Sequence, residues 1–80
     1  MNLTTWTAEL TDTFGGEANY SWVKRETFTL SAAATDRQIV TAGKAALGMT
    51  GERCRTSSLG EGFELRPIGA CAVAFLTPNY

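Results

Sequence analysis

Gly15 and Gly16 stand side by side between two stretches that read as strands, and this pair constrains the fold more than any other feature of the chain. Glycine reaches positive φ without a Cβ penalty, so adjacent glycines let a strand turn back on itself cheaply. On the N-terminal side, Leu3 to Thr11 alternates, with Trp6, Ala8 and Leu10 on one side and Thr5, Thr7, Glu9 and Thr11 on the other. That period of two marks a half-buried strand. On the far side, Tyr20 to Leu30 reads as a second strand, led in by Asn19, which tolerates left-handed backbone. The expectation is a hairpin with a loop longer than the minimum and an exposed tip. Trp22, Phe28 and Leu30 share a parity with Lys24 and Glu26. A regular register would bury those charges, so the strand needs a bulge near Val23 to Glu26 or must run past the core.

The alanine-rich segment that follows reads as a helix ending near Leu47, capped by Ser31 or by Thr35, with Asp36 favourable in the first turn. Ile39, Val40, Gly43, Ala46 and Leu47 share one face at the helical period, whereas Arg37, Gln38, Thr41 and Lys44 lie mostly away from it. Gly43 in mid-helix costs about 1 kcal/mol against alanine. It therefore predicts close approach to a bulky sheet side chain such as Trp6 or Trp22. Gly48 ends the helix, and Gly51 continues the turn. A short segment Glu52 to Ser58, the turn Leu59-Gly60-Glu61-Gly62 and two strands, Phe63 to Arg66 and Ala70 to Leu76, complete the chain. In the last strand Cys71, Val73 and Phe75 are expected to face the core, leaving Ala70, Ala72 and Ala74 open or under a partner. The fold expected is α+β, one domain over residues 1–80: an antiparallel sheet of four to five strands with one helix packed on one face, in the order ββαβββ.

Seven basic against eight acidic residues leave a net charge of −1, which removes the electrostatic drive of a general nucleic-acid binder and argues equally against an acidic DNA mimic. There is no histidine, and the two cysteines, Cys54 and Cys71, lack metal-ligand spacing. No metal, cofactor or catalytic residue is assigned. Ser57, Ser58 and the cysteines have no activating base, and Lys24 or Lys44 would need a buried pocket to act as one. The cysteines are read as small buried apolar residues, with a disulfide within the chain or between copies as the alternative. Met1 to Trp6 shows no basic stretch leading into an apolar run, so the expected location is the cytoplasm, with no membrane contact.

What remains is recognition. Phe14, Tyr20 and Trp22 cluster about the hairpin, where large rings make effective contact residues. Strand parity assigns Trp22 to the core and leaves Phe14 and Tyr20 near the surface. Glu9, Asp12, Glu17, Glu61 and Glu64 fall in or beside two turns and are read as an acidic rim. The partner-binding set is Asp12, Phe14, Glu17, Tyr20, Lys24, Arg25, Glu61 and Glu64. An alternative set for nucleic acid is Lys24, Arg25, Arg53, Arg55 and Arg66. Association of two copies, through sheet edges or the Ala70, Ala72 and Ala74 face, is compatible with either.

The segment DTFGGEANYSWVKR, Asp12 to Arg25, with the polar strand, alanine-rich helix and closing GACAVAF strand that follow, resembles small proteins of bacterial phages and mobile elements. In particular the chain resembles anti-CRISPR inhibitors of type I systems such as type I-C. The resemblance implies a non-enzymatic inhibitor in the bacterial host cytoplasm. It would dock on a host Cas protein or crRNA-guided surveillance complex and block target-DNA binding or nuclease recruitment. It assigns no interface residues. The alternative is a small nucleic-acid-associated regulator from a phage or mobile element.

Overall fold

Alternation on both sides of Gly15-Gly16 does produce a hairpin, and in the computed structural model, which describes residues 2–79, it is the longest feature of the molecule. The elements run β1 (Leu3–Phe14), β2 (Glu17–Ser31), α1 (Asp36–Ala46), β3 (Cys54–Ser58), β4 (Phe63–Pro67) and β5 (Ala72–Asn79). The strands form one sheet in the order β2-β1-β5-β4-β3, antiparallel throughout. The ββαβββ order and the single sheet with one helix are as the sequence predicts. The central pairing of β1 with β5 joins the two ends of the chain.

Register decides which side chains the helix covers. Trp6 stands opposite Phe28 and Pro78, Ala8 opposite Leu76, and Leu10 opposite Ala74. β4 extends this face with Phe63 beside Leu76 and Leu65 beside Ala74. Ile39 and Leu47 of the helix segment, with Met49 after it, close the core over them. Trp6 anchors it, stacked on Phe28 at a ring separation of 6.2 Å and tilted against Phe63 at the same distance. Under the helix the β5 parity is the reverse of the expectation, since Ala74 and Leu76 face it while Phe75 faces away and Cys71 is exposed; Val73, expected in the core, is fully buried on the other side of the sheet. Small residues are needed under a helix that sits this close. A Cβ at Gly43 would lie 2.5 Å from Leu76 Cδ2, so the close contact predicted for Gly43 exists, against Leu76 instead of either tryptophan.

Both helix ends follow local chemistry. Thr35, not Ser31, is the N-cap: its Oγ1 accepts from Gln38 N at 3.2 Å, while Gln38 Oε1 accepts from Thr35 N at 2.9 Å. At the other end Gly48, at φ +73°, donates to Ala45 O and Met49 donates to Lys44 O. Those two bonds satisfy two of the last carbonyls and fold Met49 back into the core.

Two further expectations change. The Gly15-Gly16 loop is minimal, at φ +62° and +86°, with Phe14 paired to Glu17 immediately outside it. The irregularity lies farther along: Thr13 pairs with Ala18 and Thr11 with Val23, so Asn19 to Trp22 bulge out opposite Asp12 alone. Both cysteines are free, Cys54 half-buried with its thiol pKa raised by burial, and Cys71 exposed where a buried position was expected.

The hairpin bulge and the open face as a candidate binding surface

Trp22 is not a core residue. Lys24 Nζ reaches Leu47 O, the C-cap of α1, at 3.2 Å, so the helix ends at the level of Lys24 and nothing of it remains to cover Trp22. Trp22 is 48% exposed, beside Phe14 at 81%, Tyr20 at 51% and Val23 at 40%. The same contact settles the charge problem in β2. Lys24 shares the helix face with Phe28 but donates to one carbonyl at the helix C-terminus, where a cation also complements the dipole, and Glu26 lies in solvent. The strand outruns the core, the second of the two sequence-based readings.

The bulge is a fixed structure. Thr11, expected on the polar side of β1, has no solvent exposure: its Oγ1 accepts from Tyr20 N at 3.0 Å and donates to Trp22 O at 2.8 Å. Its neighbour on β5, Val73, is equally buried. Asp12 completes the clamp. Its carboxylate accepts from Ser21 Oγ at 2.6 Å, Asn19 Nδ2 at 2.9 Å and Ser21 N at 2.9 Å. These donors, Ser21 Oγ first, hold the Asp12 carboxyl well below the usual carboxylate range. Between them the two side chains hold Tyr20 at φ +57°, a left-handed conformation rare for a bulky residue. Arg66 of β4 then ties the tip to the sheet, donating from Nη1 to Gly16 O at 2.7 Å.

On the face away from the helix, Tyr20 turns toward Glu9, and hydrogen bonding to that carboxylate, with desolvation and its charge, raises the phenol pKa. Glu9, Tyr20, Phe75, Thr77, Leu59 and Glu61 border an open concavity of about 520 Å³. Glu9 also accepts from Arg25 Nε at 2.7 Å. Glu64 pairs with Arg66 at 3.0 Å on the same face.

Of the residues singled out from sequence, the structure brings Asp12, Phe14, Glu17 and Tyr20 to the hairpin end. It places Arg25 on the open face and Lys24 on the opposite one. Glu61 sits in the β3–β4 turn, at the other end of the sheet from Glu17, because antiparallel β1, β5 and β4 put those turns at opposite ends. The acidic residues therefore do not form one rim. Nor do the basic residues of that set form a track: Lys24 is tied to the helix end, Arg25 and Arg66 are paired with Glu9 and Glu64, and Arg53 and Arg55 are exposed near the β3 edge with no ion pair among the described residues. Sequence reading missed Thr11 and Asp12 as the organisers of the bulge. A polar residue on an alternating strand carries no signal that a distant backbone will bond to it. Among the described residues no group of three metal-binding side chains occurs, and no helix is long and apolar enough to cross a membrane. Comparison of the chain with protein-family models, with curated proteins and with solved structures finds no match.

Proposed function

We propose that this protein acts by contact, as a stoichiometric inhibitor whose hairpin end docks on a larger target. The observation that carries the reading is the exposed pair Tyr20 and Trp22 on a bulge clamped by Asp12 and Thr11, with exposed Phe14 beside the turn that Arg66 ties to the sheet. Large rings on a fixed frame bind with little loss of freedom, which is the condition for a small contact surface to be effective. The target proposed is a type I crRNA-guided surveillance complex in a bacterial cytoplasm, on the resemblance of Asp12 to Arg25 and the segments after it to anti-CRISPR inhibitors. The inhibited step would be target-DNA binding or nuclease recruitment. Near-neutral charge and paired arginines favour a shape-specific contact over mimicry of DNA.

The test is titration of a purified type I complex, with target-DNA binding and nuclease recruitment as readouts. Wild-type protein should inhibit with saturation at a fixed ratio to the complex. Phe14→Ala with Tyr20→Ala should weaken inhibition by at least about tenfold and leave the thermal transition nearly unchanged. Full inhibition by the double variant removes the hairpin from the interface. Inhibition at ratios far below stoichiometry replaces contact with turnover.

A further inference from the structure

β2 is an edge strand along its whole length and the longest element of the chain. From Val23 to Ser31 it pairs with β1 without interruption, so its outer edge offers a straight row of unpaired backbone groups. The opposite edge, β3, has five residues. We infer that the β2 edge is a self-association site, where a second copy of this chain adds antiparallel to extend the sheet, on an axis beside Arg25.

The register follows from charge. An antiparallel two-fold pairing keeps each residue's face and sets one residue against its own copy. An axis at Lys24 would oppose two lysines and set Trp22 against Glu26. An axis at Glu26 would oppose two glutamates and set Lys24 against Phe28. With the axis at Arg25, Lys24 meets Glu26 of the second copy, Glu26 meets Lys24 of the second copy, and Val23 meets Thr27. Two opposite-charge pairs form on the helix side of the sheet. The only like-charge pair, Arg25 with its copy, is offset because each Arg25 already donates to Glu9 of its own sheet at 2.7 Å. The same register brings the exposed Trp22 toward Phe28 of the second copy. Charges in mid-edge often block pairing; here their order, Lys-Arg-Glu, selects one pairing and disfavours its neighbours. An edge contact of this size gives a weak, concentration-dependent dimer.

Analytical ultracentrifugation of the full chain over a range of concentrations tests this without any target, so its outcome is separate from that of the docking reading. Wild type should dimerise. Glu26→Lys, at an exposed position, should weaken the dimer by about tenfold or more, and Lys24→Glu with Glu26→Lys should restore it by exchanging the two charges. Because Lys24 also caps the helix, a second variant keeps the test independent of folding. In a Cys54→Ser, Cys71→Ser background, Arg25→Cys should cross-link to itself on oxidation, and Val23→Cys should not. A chain that stays monomeric at every concentration overturns the inference. So does a dimer indifferent to Glu26→Lys whose Arg25→Cys variant fails to cross-link.

Discussion

Asp12 accepts three hydrogen bonds from the bulge it faces, and this gives the hairpin end a pH dependence of definite sign. Its folded pKa lies below the unfolded value of about 3.9, so folding favours the ionised carboxylate. The contribution is complete above about pH 4 and drains away as pH falls toward the folded value. Urea unfolding of the wild type should therefore lose stability on acidification below about pH 4, and Asp12→Ala should show a flatter profile there. Gly43 is the second residue that a neighbour explains. Gly43→Ala gains about 1 kcal/mol of helix propensity but drives a methyl group into fully buried Leu76, and overpacking costs about 1–3 kcal/mol. A net loss is expected. In a Leu76→Ala background, itself lower by about 2–5 kcal/mol, the same change should become neutral or stabilising. Chemical denaturation of the four variants of that cycle measures the coupling.

Helix α1 shows how far local chemistry sets an element. Its eleven residues are too short to be stable alone, so the capping box at one end and the Gly48 turn at the other matter in proportion. Thr35→Ala leaves Gln38 N without its cap acceptor and should cost about 1 kcal/mol, lowering the melting temperature by about 4–8 °C. The apolar face, Ile39, Gly43 and Leu47, is where the helical period places it. β5 is the opposite case. Ala74 and Val73 both have no solvent exposure, one under the helix and the other beside Thr11 beneath the bulge, so neither parity is the polar one. A strand buried on both sides loses the alternation from which a face is read.

As a whole the molecule measures 42 × 23 × 21 Å, long because β1 and β2 are long, with the helix covering one face. The hairpin does not stand clear of the body: β5 runs beside β1 as far as Asp12, and Arg66 holds Gly16. The backbone that carries exposed Phe14, Tyr20 and Trp22 is thus tied to the sheet by hydrogen bonds. The docking proposed for the hairpin tip and the self-pairing inferred along β2 would use adjacent stretches of one strand and meet at Trp22. Phe14→Ala with Tyr20→Ala should accordingly leave the dimer intact, and Glu26→Lys should leave a single hairpin able to bind its target.

Alternation, paired glycines and the helical period are local properties, so the chain by itself determined its element order, the place of the hairpin turn, the end of the helix near Leu47 and the α+β class. The same residues could not reveal that Trp22 is exposed, that Thr11 is buried, that the alanines of β5 face inward, or that Glu17 and Glu61 lie at opposite ends of the sheet. Those outcomes depend on where the helix stops over β2 and on which strands become neighbours. They are set by contacts between residues far apart in the chain, and only the tertiary structure decides them.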